Sequence, residues 1–468
     1  MGLNEAVYAR LPAPLQDGAV TARGWMNRRH RYGATFRDAV DRLMAGQWRT
    51  AAEWEALQRE GVAAMVEYAR RNVPYYASVP VPDPRAPLAE MMASLPLLPK
   101  PTLRGDPAAF RSRELDRMRT VTSRTSGTTG APLVMHHTVE AHAVLWAGMD
   151  RFWRAGGVRW GDRRLSFTGN RVVADEAPGA FGRMDRANAR LLMSVYHLGE
   201  RTVDRYLDEI ERFGPAFVDG YPSALLVCAR RLVETGRELR VTACFPTAET
   251  LSADDRATLE AGFRTRVYNQ YGSAEGASLV TECPAGSLHV NPEVGVVEVL
   301  REDGTAAAPG EEGWLVLTSL LNRAMPLIRY RIGDLARAGE PGRCACGREM
   351  PRISELSGRQ DDVVVTRDGR RIGMLSFNVF KWTTGIAASQ IVQESVDHFV
   401  LKLVPGEGYD AGQAQVAVNA LHERVGADVR VDVQVVDDLP RGANGKLRAV
   451  VSKVGSAPAA RPVTEVAP

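Results

Sequence analysis

A chain of 468 residues is too long for one ordinary hydrophobic core, so two or more domains are expected. Hydrophobic content of 45% and charged content of 25% are ordinary for a globular protein in water. The net charge of +3 is spread along the chain without a basic run, which argues against nucleic acid as a partner.

No stretch approaches the roughly 18 uninterrupted apolar residues of a membrane span. The opening MGLNEAVYARL lacks a basic-then-apolar signal pattern, and five cysteines suit a reducing compartment, so the expected location is cytoplasmic.

In chain order, residues 1–100 read as largely helical. AAEWEALQREGVAAMVEYARRN sets Trp54, Leu57 and Val62 at helical spacing, and Pro74, Pro80, Pro82 and Pro84 then punctuate a loop. RTVDRYLDEIERFG places Val203, Leu207 and Ile210 on one helical face, ended by Gly214 and Pro215. AFVDG follows as a strand, with Ser223 as the expected cap of a helix reaching Gly236. VTACFPT is a strand, Ser252 starts another helix, and RVYNQYG is a strand. Strands alternating with helices predict an α/β fold with a largely parallel sheet. Residues 286–335 are richer in strand. The last hundred residues read as a small α+β domain, in which VRVDVQV alternates Val429, Val431, Val433 and Val435 as a half-buried strand. The expected domains are 1–360 and 361–455, with a disordered Ala/Pro-rich tail over 456–468.

TSRTSGTTG (122–130) is rich in hydroxyls and glycine and offers nothing for a core. Such a loop exposes N–H groups that suit phosphate oxygens; read alone, it is equally a polar surface connection. It is not the P-loop pattern, because Ala131 and Pro132 follow Gly130. YNQYGSAEG presents Glu275 after a strand and a turn, where an acid beside a phosphate loop can hold Mg²⁺. IRYRIGDLA presents Asp334 at a glycine turn, where a carboxylate can accept ribose hydroxyls. SGRQDD marks a crossing between regions, and LPRGANGKLR sets Lys446 on a Gly-flanked loop. Read singly, Glu275 is a surface acid, Asp334 a turn residue and Lys446 surface decoration.

Taken in order, these segments resemble the adenylate-forming superfamily of acyl-CoA synthetases, adenylation domains and luciferases. TSGTTGAP, YGSAE, RIGDLA, GRQDD and PRGANGKLR look like its phosphate loop, Mg²⁺ acid, ribose, hinge and lysine segments. PKPTLR (99–104), GYPSAL (220–225), AMPLIRYRIGDL (324–335) and the C-x-C-G-R…P-R-I run (344–353) are similar to the phenylacetate–CoA ligase and coenzyme F390 synthetase-like branch.

The resemblance implies a large N-terminal adenylate-forming domain of layered sheets and helices, with a small mobile C-terminal lid. It implies ATP-dependent activation of a carboxylic acid to acyl-AMP and transfer to coenzyme A. Thr125, Ser126, Gly127, Thr128, Thr129 and Gly130 would cradle the phosphates, and Glu275 would hold Mg²⁺. Asp334 would bind the ribose with help from Arg359. Thr247, Ala248, Glu249, Tyr271, Gly272 and Ser273 would surround the nucleotide, with Tyr271 stacked on adenine. Lys446 would bridge the acyl carboxylate and the α-phosphate, and Asp361 would be the hinge. Tyr221, Pro222, Phe245, Asn269, Gly276 and Ala277 would line an acyl pocket sized for an aryl or arylacetic acid. Relatives are often dimers, so a homodimer is the oligomer the resemblance implies.

Two positions depart from the family pattern: Ala131 stands where a lysine is usual, and Ala274 where Thr or Ser precedes the acid. The stretch around 168–190 does not look like phenylacetate ligases. These departures keep two alternatives open: an adenylating enzyme that serves an amine, carrier protein or nitrogen acceptor, and a catalytically weak nucleotide-binding protein. Separately, Cys283, His289, Cys344 and Cys346 make a Cys₃His set that suits a tetrahedral structural Zn²⁺, or else three idle cysteines and a histidine. Cys228 and Cys244 read as core residues.

Overall fold

The computed structural model describes residues 7–8, 10–124, 133–168, 172–173, 179, 181–199, 201–359, 363–367, 371–373, 386–406, 408–440, 448 and 450–454. The chain is mixed α/β and falls into two compact units divided between Leu356 and Ser357. Among the described residues, no helix is long and apolar enough to cross a membrane.

The first unit opens with helices. Ala51–Asn72 begins with a capping box: the Thr50 side chain accepts from Glu53 N–H, and Glu53 accepts from Thr50 N–H at 2.8 Å. Its buried face carries Trp54, Val62, Met65, Val66 and Ala69, at helical spacing.

A five-stranded sheet follows, in the order Gly182–Asp185, Arg190–Ser194, Arg164–Thr168, Phe217–Gly220, Ala243–Pro246. The last four strands are mutually parallel. Alternation along each strand sends Val218 and Cys244 to one face, against helices Val203–Phe213, Pro222–Thr235 and Ala253–Phe263. It sends Phe217, Ala243 and Phe245 to the other face, against Phe152 and Trp153 of helix Val139–Ala155. Helices on both faces are what a parallel sheet needs to bury its two apolar sides.

The larger sheet has eight strands. Its path runs Gly295–Leu300, Glu312–Ser319, Tyr330–Ala338, Arg352–Arg359, Leu288–Val290, Leu279–Glu282, Gln270–Gly272. Leu98–Pro99 joins it in parallel with Tyr330–Ala338. A separate hairpin, Thr120–Arg124 with Val134–Thr138, flanks the TSGTTGAP segment.

The second unit holds a four-stranded sheet in the order Arg430–Val435, His398–Pro405, Ile386–Ser395, Val450–Ser452. Helix Ala411–Val425 packs Ala417, Val418 and Leu421 onto Phe399, Leu401 and Leu403.

Several local expectations need correction. Ser223 does not cap the helix after Gly220; Tyr221 is the cap residue, and Ser223 lies inside Pro222–Thr235. Only Gln270–Gly272 of RVYNQYG is strand, with an isolated bridge at Val267. Asp334 lies within the strand Tyr330–Ala338 instead of a turn after it: Gly333, at φ +90, sits where the pairing register with Glu312–Ser319 shifts, so the glycine makes a bulge inside the strand and does not end it. VRVDVQV is an edge strand, so Val429 is buried at 4% exposure while Val435 is left 56% exposed.

Candidate functional site

Of the two acids singled out in the sequence, Asp334 lies in the strand Tyr330–Ala338 and Glu275 in the turn after Gln270–Gly272, the strand that ends the large sheet's path. Asp334 is 5% exposed and accepts a hydrogen bond from the Tyr271 hydroxyl at 2.6 Å. Glu275 is 6% exposed and accepts from the Tyr330 hydroxyl at 3.4 Å. Tyr330 and Asp334 share one strand, and Tyr271 lies on the strand that runs into the Glu275 turn. Two phenols therefore tie the two acidic segments together. Burial pushes the Tyr330 phenol far above its usual range, with Glu275 and Asp334 adding to the effect, so it stays a neutral donor.

Among the described residues no ion pair reaches Glu275. Among the described residues this buried carboxylate has one long donor and no cation to compensate it. That is the condition under which a bound cation is favoured, and Glu275 fits a Mg²⁺ ligand on this ground.

The Glu275 turn is braced from the hairpin that flanks TSGTTGAP. Ser123 Oγ donates to the Ala274 carbonyl at 2.6 Å, and His137 Nε2 lies 2.7 Å from Ser123 Oγ and 3.1 Å from the same carbonyl. Burial pushes His137 below the usual imidazole range, only partly opposed by the Ala274 carbonyl, which keeps the ring neutral near pH 7. His137 was not singled out in the sequence; a histidine pair after a glycine-rich loop carries no local signal of this contact.

Gly276 has φ +63, and a Cβ built there would stand 2.9 Å from His137 Cε1. Gly276→Ala is therefore expected to cost about 1–3 kcal/mol, from left-handed backbone strain plus displacement of the ring. Denaturant unfolding should show this as a lower midpoint with an unchanged slope.

The TAE segment is strained and tied. Ala248 takes φ +68, a region that costs a non-glycine residue about 1–2 kcal/mol. Glu249 accepts from Ser223 N–H at 3.0 Å and from Ser223 Oγ at 3.1 Å, so it satisfies donors at the start of helix Pro222–Thr235. Gly272 and Ser273 lie beside Tyr271 in the same strand and turn. Lys100, from the PKPTLR segment, donates to the Ile332 carbonyl at 3.0 Å, two residues before Asp334.

The acyl-pocket residues divide. Tyr221 and Pro222 lie at the head of their helix, and Asn269 is half-buried with its backbone N–H on Glu282 at 2.7 Å. Phe245 and Ala277 have no exposed surface and pack in core clusters, and Tyr221 at 8% exposure packs in another. Phe245 stacks on Tyr268 at 5.6 Å and meets Phe152 edge-on. Thr125 to Gly130, Asp361 and Lys446 lie outside the described residues, as does the Arg359 side chain.

Cys283, His289, Cys344 and Cys346 come together from two distant segments, with ligand atoms all within 4.8 Å of one another. Cys228 and Cys244 are fully buried, and burial pushes the Cys228 thiol up to about 12.

Three comparisons bear on this arrangement. The family model for the CapK C-terminal domain matches residues 364–453. The chain is 24% identical to Protein CapK of Staphylococcus aureus over 459 residues, covering 96% of this chain and 99% of that one. It is 27% identical to the phenylacetate-coenzyme A ligase of Thermus thermophilus over 440 residues, covering 85% and 96%. It is 28% identical to that of Aromatoleum evansii over 333 residues, covering 67% and 72%. In fold, it is similar to a solved 2-hydroxyisobutyryl-CoA ligase in the postadenylation state in complex with R3-HIB-AMP. That match has a TM-score of 0.68 at 19% identity, and covers 88% of this chain and 91% of that one.

Proposed function

We infer that the chain belongs to the adenylate-forming superfamily on its phenylacetate–CoA ligase-like branch, and that it activates a carboxylic acid with ATP and passes the acyl group to coenzyme A; its likeness to phenylacetate-coenzyme A ligases supports this reading. In the first half-reaction the carboxylate oxygen attacks the α-phosphorus, pyrophosphate leaves, and acyl-AMP remains. In the second, the thiol of coenzyme A attacks the acyl carbonyl, AMP leaves, and a thioester forms. The observation that carries this reading is the bonded pairing of the two acidic segments, Tyr271 with Asp334 and Tyr330 with Glu275.

The chain's own groups have distinct tasks here. Asp334, already an acceptor, would take the ribose hydroxyls, and Tyr271 fixes its orientation. Tyr271 engaged in this way presents its ring beside the ribose site, where it would meet the adenine. Glu275 would hold Mg²⁺, whose chemistry is neutralisation of charge on the phosphates and the departing pyrophosphate. Ser123 and His137 fix the Ala274 carbonyl and so set the position of Glu275 relative to the hairpin. Thr125 to Gly130 would cradle the phosphates, and Ala131 and Ala274 remove one cation and one hydroxyl from that grip. Residues 1–360 would form the adenylating domain. Residues 361–455 would form a lid turning at Asp361, so that Lys446 serves the first half-reaction and withdraws for the second.

The resemblance favours an aryl or arylacetic acid; the space in front of Gly276 is filled by the His137 ring, so that glycine serves the close approach of the imidazole. The acceptor is tested by product analysis over a panel of aromatic and aliphatic acids, with and without coenzyme A. The reading predicts an acyl-CoA thioester that forms only when an acid, ATP and coenzyme A are all present. An acid-dependent adenylate that coenzyme A never discharges, but an amine or carrier protein does, would replace coenzyme A as the acceptor. Ala131 and Ala274 are the residues that keep that second reading alive.

A further inference from the structure

The Cys₃His cluster lies outside the nucleotide machinery and needs its own account. We propose that Cys283, His289, Cys344 and Cys346 bind one structural zinc ion, which fastens two distant segments of the large sheet.

Geometry is the first support. Zinc with Zn–S near 2.3 Å and Zn–N near 2.05 Å gives tetrahedral edges of about 3.8 Å between sulfurs and about 3.6 Å between sulfur and nitrogen. Cys283 Sγ and Cys344 Sγ are 3.9 Å apart, and Cys346 Sγ and His289 Nε2 are 3.4 Å apart. Both lie within a few tenths of an ångström of the required edges.

The backbone is the second support. Cys283 and Cys344 each open a turn with one and the same hydrogen-bond pattern. Cys283 N–H donates to the Ser287 carbonyl at 2.9 Å, and Gly286 N–H donates back to Cys283 at 2.8 Å. Cys344 N–H donates to the Arg348 carbonyl at 2.8 Å, and Gly347 N–H donates back to Cys344 at 2.8 Å. Gly286 has φ +84 and Gly347 φ +89, so each turn uses a glycine three residues after its cysteine. Cys346 N–H points at Cys344 Sγ at 3.5 Å. Two matched turns on unrelated segments, each presenting sulfur inward, are hard to explain by thiol packing alone.

Ligand orientation is the third. His289 Nδ1 lies 3.3 Å from the Met350 carbonyl, which sets Nδ1 as the protonated nitrogen and leaves the Nε2 lone pair toward the sulfurs. Cys283, His289 and Cys344 are buried, and four protein donors close the coordination sphere, which marks a structural site.

The consequence is mechanical. Cys283 directly follows strand Leu279–Glu282, which pairs with the strand carrying Tyr271. The loop after Cys346 docks on the N-terminal helices, where Arg348 Nη2 donates to Gln47 at 2.6 Å and Glu349 accepts from Ala51 N–H at 3.0 Å. The metal would thus hold the helical segment and the edge of the sheet near Glu275 in one piece.

Metal analysis of the full chain, purified in chelator-treated buffer, tests this by readouts that do not depend on activity. One zinc per chain is expected, retained in Cys228→Ala and lost in Cys344→Ser and Cys346→Ser. Replacement by cobalt should give the thiolate charge-transfer and visible bands of a tetrahedral sulfur-rich site. A chain that purifies without metal and gives no such bands with cobalt would overturn the proposal. So would a Cys283–Cys344 disulfide, or full zinc content in both serine variants. Because the wild-type stoichiometry decides by itself, misfolding of a variant does not blunt the test.

Discussion

Glu275→Gln is expected to reduce acid-dependent pyrophosphate release by at least about 100-fold, with little change in melting temperature. The substitution keeps the shape of a side chain that is 6% exposed and removes its charge. Among the described residues Glu275 makes no ion pair and its hydrogen-bond donor is the Tyr330 hydroxyl, which can donate as well to an amide oxygen. Stability should therefore be kept or slightly raised, because an uncompensated buried charge is gone. The loss should fall on the Mg²⁺ requirement, since a missing carboxylate ligand weakens both metal affinity and placement of the leaving pyrophosphate. Raising Mg²⁺ should recover part of the rate. A variant as active as wild type at limiting Mg²⁺ would remove Glu275 from the metal.

Lys446→Ala is expected to divide the two half-reactions. Adenylation should fall about 10²–10³-fold, the scale for losing one preorganised charge stabiliser. Thioester formation from synthetic acyl-AMP and coenzyme A should stay within a few-fold of wild type. This expectation rests on the PRGANGKLR segment and its resemblance, since Lys446 lies outside the described residues. Equal losses in both halves would mean that the lysine does not withdraw between them.

Particular residues show where the sequence was legible. Helices with strong periodicity were readable, because burial follows the apolar spacing: Val203, Leu207 and Ile210 are all buried on one face of Val203–Phe213. The α/β alternation and the parallel sheet followed from the same signal. The Cys₃His grouping could be named from composition alone, yet only the fold brings Cys283 beside Cys344, 61 positions away.

The misses share one cause: tertiary context overrode a local rule. Ser223 looked like a cap, but Tyr221 turns the chain first and Glu249 reaches across to Ser223. The valines of VRVDVQV alternate as a half-buried strand should, but an edge position leaves Val433 and Val435 exposed. The bracing of Ala274 by Ser123 and His137 spans 151 and 137 positions, and the Tyr330 contact to Glu275 spans 55. No local pattern encodes contacts of that separation.

Isotope exchange between ATP and labelled pyrophosphate, run without coenzyme A over a broad acid panel, measures the first half-reaction alone. At least one acid, expected among the aryl or arylacetic members, should drive exchange in wild type that collapses in Glu275→Gln. Silence with every acid, in a chain that still binds ATP, would contradict carboxylate adenylation at this site.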